Sequence, residues 1–269
     1  MTKIAVTGKG GVGKTTLAAL LAHVYAADGK TVLAIDADPA ASLAYALGFP
    51  AELADQITPI AEMEELILER TGAKPGTIGG YFRLNPRVDD LPDRMSAEFR
   101  GVRMLRLGTI KQGGSGCICP ESALLRNLVT HLLVARNEVV ILDMEAGIEH
   151  LGRGTASAVD AFLIVTEPVR RSLETARHIH QLAADIGVTR CYLVGNKVRD
   201  DADRAFIAAH AGGLEVVATF PIDDRVSEAD REGVPVYDAI PEFVAQARAL
   251  SRLIDAAARP VTDSGARLT

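Results

Sequence analysis

Short apolar runs rich in β-branched residues alternate with longer amphipathic stretches along most of the chain. The runs are apolar almost throughout, which is typical of parallel strands that are covered on both faces. Because most runs are followed by a stretch with helical spacing, the sequence predicts an α/β fold of three layers, with a doubly wound, mostly parallel sheet. The predicted strands are 3–8, 31–36, 102–108, 139–144, 161–167, 191–197 and 214–221, and the predicted helices are 14–28, 121–136, 171–186, 201–211 and 241–256.

Two segments depart from this alternation. Residues 72–100 are rich in glycine, proline and charge, so we expect a long irregular insertion, which in a compact domain is usually functional or mobile. Residues 259–269 are polar, and we expect them to form a frayed tail. A chain of 269 residues has room for one large core. We therefore expect a single domain over residues 1–258.

Composition and charge narrow the functional classes. The formal net charge of -6 disfavours a general surface for nucleic acid or for anionic membranes. No apolar run approaches the roughly 18 residues that a membrane-spanning helix needs, and no amino-terminal signal pattern is visible. Three cysteines do not indicate the disulfide framework of a secreted protein. We therefore expect a cytoplasmic protein without nucleic-acid or membrane partners.

The loop between the first predicted strand and the first predicted helix has the sequence GKGGVGKTT. It satisfies the phosphate-loop pattern G-x-x-x-x-G-K-[ST], in which backbone N–H groups and the positive end of the helix hold phosphate oxygens. Lys14 is expected to bond the β- and γ-phosphates, and Thr15 is expected to ligate Mg²⁺. The residues predicted to bind ATP or ADP here are Gly8, Gly10, Gly11, Val12, Gly13, Lys14, Thr15 and Thr16.

A second nucleotide motif lies at the end of the strand VVILDM. Four apolar residues followed by Asp143 form a Walker B arrangement, in which the carboxylate holds Mg²⁺ through water. Gly147 follows at a position where a backbone N–H can sense the γ-phosphate. Together with the phosphate loop, this motif predicts an enzyme that hydrolyses ATP to ADP and phosphate.

The phosphate loop contains a second lysine, Lys9, which the pattern does not require. With this lysine, the loop resembles the deviant phosphate loop of the MinD/NifH-type ATPases. The resemblance implies that Lys9 reaches the nucleotide of a partner subunit and adds a cation there, as an arginine finger does elsewhere. ATP binding and homodimer formation would then be coupled. Without the resemblance, a solvated surface charge is the alternative for Lys9.

The same resemblance assigns the acidic residues after the second strand. Asp36 and Asp38 lie at the carboxyl end of that strand, where ligands bind in open α/β sheets. Asp38, followed by a proline, resembles a residue of switch I and is the candidate for orienting or deprotonating the attacking water. Asp36 either helps to hold the Mg²⁺ shell or caps the following helix.

The resemblance also implies an adenine site. Asn196 and Lys197, in the sequence GNK, lie where this class reads adenine through an asparagine, and Pro221 lies in the matching adenine loop. The alternative for Asn196 is a plain strand terminator.

Four longer segments narrow the resemblance to the CooC-type carbon monoxide dehydrogenase maturation ATPases, over roughly residues 3–240. This family resemblance implies an ATP-dependent homodimer that binds nickel and helps to insert it into the nickel–iron–sulfur centre of carbon monoxide dehydrogenase, while close relatives serve acetyl-CoA synthase. The segments are GYFRLNPRVDDLPD (80–93), LGTIKQGGSGCICPE (107–121), ILDMEAGIEHLGRGT (141–155) and TEPVRRSLETA (166–176).

A C-x-C motif, Cys117 and Cys119, is the candidate metal site. Thiolate sulfur is a good ligand for Ni²⁺ or Zn²⁺. One chain offers two sulfurs, and two chains related by a dyad offer four, so we expect a site shared across the dimer. A pair of buried or redox-active cysteines is the alternative. Cys191 starts a predicted core strand and is expected to be a packing residue.

Several rival functions can be weighed on the sequence. A MinD-like membrane-cycling ATPase would need an amphipathic carboxyl-terminal helix, and a ParA-like DNA partitioner would need a basic surface, so neither is favoured. A NifH-like ATPase or electron carrier stays open, because the four sulfurs of a dimer could hold an iron–sulfur cluster. A nucleotide switch in which the C-x-C motif is a structural zinc clasp also stays open.

Overall fold

The computed structural model describes residues 2–76, 81–108, 119–147 and 158–258, and elements are numbered along these ranges. The strands are β1 Lys3–Gly8, β2 Val32–Ala37, β3 Ala97–Phe99, β4 Val102–Arg106, β5 Val139–Met144, β6 Ala161–Thr166, β7 Cys191–Val198 and β8 Glu215–Pro221. The helices are α1 Lys14–Ala27, α2 Leu43–Ala46, α3 Ala51–Ala54, α4 Glu64–Thr71, α5 Leu91–Met95, α6 Pro120–Val134, α7 Arg170–Ile186, α8 Asp201–His210, α9 Asp224–Glu232, α10 Val236–Ala239 and α11 Pro241–Ala258.

The described strands form one sheet in the order β3-β4-β2-β5-β1-β6-β7-β8. Neighbouring strands are parallel, except for the pair β3 and β4, which is antiparallel. Parallel neighbours need crossover connections, which place helices on the faces of the sheet. The predicted fold class, a three-layer and mostly parallel α/β sheet, is confirmed.

The core consists of two apolar clusters, one on each face of the sheet. Along β1, Ile4 and Val6 belong to one cluster and Ala5 to the other, because side chains alternate along a strand. Helices α1, α2 and α11 supply the cluster of Ile4, whereas α4, α6, α7 and α8 supply the cluster of Ala5. Both faces are therefore covered, which is why the strands are apolar almost throughout.

Every predicted strand and helix is found, with ends that differ from the prediction by at most two residues. The prediction of a wholly irregular insertion at 72–100 was wrong. This segment contains α5 and the edge strand β3, and Arg70 of α4 donates hydrogen bonds of 2.9 and 2.7 Å to Asp90 within it. A three-residue strand is too short to show an alternating pattern, so the hydrophobic periodicity missed it.

Some expectations concern parts outside the described residues. Residues 77–80 of the insertion and the polar tail 259–269 fall there, so the domain boundary at 258 stays a prediction. Among the helices of the described ranges, none combines the length and the apolar character needed to cross a membrane.

Candidate functional site

The phosphate loop joins the carboxyl end of β1 to the amino end of α1. At Gly8, φ is 146°, and a Cβ would lie 2.3 Å from the carbonyl oxygen of Val165 on β6. Only glycine can therefore hold the loop this close to the sheet. Lys14 is the first residue of α1 and is buried, so its ammonium lies inside the loop rather than in solvent.

Lys14 and Asp38 are brought together although they lie on different elements. The Lys14 Nζ is 3.5 Å from Oδ2 of Asp38, and both side chains are largely buried. Thr15, next on α1, has its hydroxyl 3.5 Å from that of Ser42, which follows the Asp38 segment. The structure thus gathers the predicted phosphate, magnesium and water-orienting residues in one place.

Asp143, near the end of β5, is a buried carboxylate close to Lys14 and Thr15 of this loop. Its side chain is fully buried, and neither carboxylate oxygen has a hydrogen-bond partner among the described residues. Burial raises the pKa of Asp143 to about 7; the nearby Thr15 hydroxyl, which lies outside hydrogen-bond geometry, and the Lys14 ammonium oppose this only in part. A buried, unpaired carboxylate beside a threonine hydroxyl is a donor set that fits Mg²⁺.

Asp36 lies in β2 beside Asp143 of β5 in the sheet register. Its Oδ1 accepts a hydrogen bond of 3.2 Å from the Asp38 N–H, and its Oδ2 accepts one of 3.1 Å from the Leu43 N–H at the start of α2. Burial raises the pKa of Asp36 to about 6. Both oxygens are used by the backbone, which is the arrangement expected if Asp36 caps the following helix.

Gly147 ends the described segment after β5. Its N–H donates a hydrogen bond of 2.8 Å to the Glu145 carbonyl and lies 3.4 Å from the Thr7 hydroxyl. The Thr7 hydroxyl in turn donates to the Glu145 carbonyl at 2.6 Å. The segment that begins at Asp143 is therefore tied to β1 immediately before the phosphate loop.

A cavity of about 390 Å³ lies beside the loop, with Gly11 and Gly13 in its lining. Thr16, Asn196 and Pro221 line it, together with Lys197, so the residues predicted to bind the base are gathered around one space. Phe220 and Phe243 contact each other with ring centroids 5.5 Å apart and also line the cavity. An apolar cavity with a few polar groups is suited to a purine base.

Asn196 and Lys197 bond to the phosphate loop itself. The Asn196 Nδ2 donates a hydrogen bond of 2.7 Å to the Val12 carbonyl, and the Lys197 Nζ donates one of 2.8 Å to the Gly11 carbonyl. Lys197 also pairs with Glu167 at 2.5 Å. These bonds use carbonyl groups of the loop and not its N–H groups, which are the groups that bind phosphate in such loops. Base recognition by Asn196 stays a prediction.

Sequence reasoning missed two parts of this site. Helix α9 supplies Asp224, Val226 and Ser227 to the cavity, but only Ala229 of this helix is buried, so no apolar periodicity marks it. The signal that could have found it is the capping pattern, since Asp223 accepts a hydrogen bond at its start and Gly233 ends it. Glu167 had no sequence signal, because its partner Lys197 is distant in the chain.

Of the other residues singled out in the sequence, Lys9, Cys119 and Cys191 lie within the described ranges and Cys117 does not. Lys9 is exposed and makes no ion pair with any residue that the structure describes. Cys119 is half-buried at the amino-terminal cap of α6, with its Sγ 3.0 Å from the Ser122 hydroxyl. Cys117 lies outside the described residues. Cys191 is half-buried against the core, and burial raises the pKa of its thiol to about 11.

Known nucleotide-binding proteins resemble this chain over most of its length. Residues 3–236 match the CobQ/CobB/MinD/ParA nucleotide-binding domain. The chain is 47% identical to the carbon monoxide dehydrogenase accessory protein CooC of Rhodospirillum rubrum, over 92% of this chain and 94% of the relative. It is 45% identical to an uncharacterized ATP-binding protein of Methanocaldococcus jannaschii, over 87% and 90%.

Among solved structures, the MinC:MinD cell division complex of Aquifex aeolicus matches the fold with a TM-score of 0.67 at 19% identity, covering 95% of this chain and 96% of that one. The family match and the identity to CooC each extend over most of the chain. They indicate the same kind of protein as the phosphate loop and the pair of Lys14 and Asp38. The chain belongs to the CobQ/CobB/MinD/ParA family of P-loop ATPases and, within it, to the group of the accessory protein CooC.

Proposed function

We propose that this ATPase is a metallochaperone that binds nickel through the C-x-C motif of two chains and uses ATP hydrolysis to deliver it to carbon monoxide dehydrogenase. The observation that carries the proposal is the placement of Cys119. Cys119 is the N-cap residue of α6, half-buried, at the end of the connection that carries the C-x-C motif. The accessory role in the name of the Rhodospirillum rubrum relative supplies the client.

The position of this motif relative to the nucleotide site supports coupling. Arg106, the last residue of β4, lies beside Asp36 of β2 in the sheet register. The connection from β4 to α6 contains the C-x-C motif, so it departs from a strand that is in register with the acidic segment. A movement of that segment with nucleotide state would therefore reach the connection through one strand pair.

The chain's own residues would divide the work at the nucleotide as follows. Lys14 and the loop N–H groups would bind the phosphates, and Asp143 and Thr15 would hold Mg²⁺, which neutralises phosphate charge when it is bound. Asp38, released from its ion pair with Lys14 by the competing phosphate, would orient the attacking water and accept its proton.

Lys9 supports the proposal of a homodimer closed by ATP. It extends into solvent from a loop whose other lysine is buried, so its charge is available to a second chain. Across a dyad, each Lys9 would add a cation to the partner's phosphates, and closure would bring the two C-x-C motifs together. Nickel affinity and nucleotide state would then be linked reciprocally.

The deciding experiment measures molecular mass by light scattering and bound Ni²⁺ by equilibrium dialysis, without nucleotide, with ADP, and with a non-hydrolysable ATP analogue. We expect a dimer with about one Ni²⁺ per two chains in the analogue state. Cys119→Ser should remove the bound nickel, whereas Cys191→Ser, a matched control on β7, should retain it. A monomer in every state, or nickel retained by Cys119→Ser, contradicts the proposal.

Two further variants and one observation separate the alternatives. Lys9→Ala should abolish the analogue-dependent dimer while ADP still binds, and Lys30→Ala, another exposed lysine, should leave the dimer unchanged. A brown protein with visible absorbance after anaerobic purification would favour an iron–sulfur carrier instead. Loss of the dimer in Cys119→Ser without any preference for Ni²⁺ over Zn²⁺ would favour a structural zinc clasp.

A further inference from the structure

A cleft of about 880 Å³ opens beside Thr15, Thr16 and Ala19 of α1. One wall is α2 with the turn after it, and the other is α9 with α10. Both walls continue into the nucleotide site. On one side, the Leu43 N–H of α2 donates to Asp36; on the other, Val226 and Ser227 of α9 line this cleft and the base cavity alike.

The two walls touch through Gly48, which follows α2. Its φ is 74°, and a Cβ at this position would lie 2.3 Å from Cγ of Pro235 and 3.0 Å from its Cδ. Pro235 immediately precedes α10. The backbone of one wall therefore lies directly on a rigid ring of the other, and no side chain fits between them.

His23 of α1 contacts both walls close to Gly48 and Pro235. It is buried, and its Nε2 lies 3.1 Å from the Leu47 carbonyl, to which it donates because a carbonyl only accepts. Its ring lies 4.9 Å from the ring of Tyr237 on α10. Asp238, the next residue, is held by Arg100 through two hydrogen bonds of 2.5 and 2.8 Å. One imidazole thus touches both walls.

We propose that Gly48, Pro235 and His23 form a latch through which occupation of the base cavity positions the Asp36–Asp38 segment. A base that seats against α9 would hold α10, and the latch would transmit this to α2, whose first N–H is bound by Asp36. His23 and Gly48 are then positioning residues for hydrolysis, although neither reaches the nucleotide. The inference goes beyond the metallochaperone proposal and rests only on ATP binding.

The test compares ADP with inorganic pyrophosphate, both with Mg²⁺, because they share phosphates and differ in the base. Hydrogen exchange of the full chain is measured at the amides of residues 43–49 and 224–232. In the unaltered protein, ADP should slow exchange at 43–49 by at least roughly fivefold more than pyrophosphate does. In Pro235→Ala this difference should vanish at 43–49, while ADP still protects 224–232.

Kinetics provide a second measurement with a matched control. Gly48→Ala adds a methyl group against Pro235, whereas Gly29→Ala adds one at the same φ of 74° with nothing within 4 Å. Both pay the same backbone strain, but only the first disturbs the latch. Gly48→Ala should lower kcat for ATP about tenfold with KM within about threefold, and Gly29→Ala should change neither by more than about twofold.

His23 separates positioning from simple stability. Leu at this position removes the bond to Leu47, so His23→Leu should lower kcat as Gly48→Ala does, and His23→Gln, which keeps a donor, should restore much of it. The latch is overturned if ADP and pyrophosphate protect residues 43–49 equally in the unaltered chain. It is also overturned if the difference persists in Pro235→Ala; this variant decides the question if Gly48→Ala does not fold.

Discussion

Two clusters of buried charge lie at opposite ends of the parallel strands. The amino edge is the side of the sheet where these strands begin, and the carboxyl edge is the side where they end. At the amino edge, Lys3 donates hydrogen bonds to the carbonyls of Leu132, Arg136 and Glu138 at 3.2, 2.7 and 3.0 Å. At the carboxyl edge, Asp143 is equally buried, yet both of its oxygens lack a partner among the described residues. We call these the amino-edge cluster (Lys3, Arg103, Arg136 and Glu138) and the carboxyl-edge cluster (Lys14, Asp36, Asp38 and Asp143).

Buried charges that are paired within the chain stabilise the fold, whereas a buried charge without a partner indicates a group that binds a ligand. Glu138 is buried and paired with Arg136 at 2.7 Å and with Arg103, so its charge is satisfied within the chain. Burying an unpaired carboxylate costs several kcal/mol, because its hydration is lost without replacement. A fold retains such a group where a cation completes it, and in the function proposed above that cation for Asp143 is the magnesium that accompanies ATP.

The largest expected effect comes from Asp143→Asn. ATP hydrolysis should fall by about 100-fold or more, because the substitution removes the charge that, in the proposed function, would hold the magnesium. Stability without nucleotide should stay equal or rise, since asparagine has no charge to desolvate. Phosphate release and urea unfolding of the nucleotide-free protein measure the two. A protein that is both inactive and less stable would show that Asp143 is a structural group like Glu138.

The next effect concerns the amino-edge cluster, in Glu138→Ala. It should cost about 2 kcal/mol of unfolding free energy, because two arginines lose their buried partner while each keeps its pair with Asp93. Hydrolysis per folded molecule should stay within about twofold, since this cluster lies at the edge away from the phosphate loop. Asp89→Ala is the matched control: this carboxylate pairs with Arg87 in solvent, so its loss should leave the urea midpoint nearly unchanged.

The smallest expected effect is the contribution of His23 to the pH dependence of stability. It tests whether a buried group that has a hydrogen-bond partner still carries a cost of burial. Burial is the largest cause that lowers the pKa of His23, and the charge of Arg100 lowers it further. The Leu47 carbonyl and the charge of Asp238 raise it, but only in part. The unfolded chain therefore binds a proton that the folded chain does not, and stability is full above the unfolded pKa of about 6.5 and falls as pH drops through it. This part of the acid dependence should be absent in His23→Gln. Parallel urea midpoints of the two proteins between pH 5 and 8 would contradict it.

Local signals in the sequence were enough for seven strands, five helices and the phosphate-loop motif. The strand ends at Gly8 and Asp143 followed from apolar runs, and Lys14 and Thr15 followed from a motif with fixed spacing. The edge strand Ala97–Phe99 and helix α9 were missed, because the strand is too short for periodicity and the helix buries too little apolar surface. The contact of Asn196 with Val12 was also missed, since it joins distant parts of the chain.

The sequence by itself determined the class of fold, the covered sheet and the phosphate-loop motif, because periodicity and motif spacing act over a few residues. Only the tertiary structure decided which charges are satisfied. The Walker B pattern singles out Asp143 in the sequence, but nothing local shows that Arg103 and Arg136 reach Glu138, whereas no described side chain hydrogen-bonds to Asp143. Pairing depends on where the chain returns, and that is a property of the whole fold.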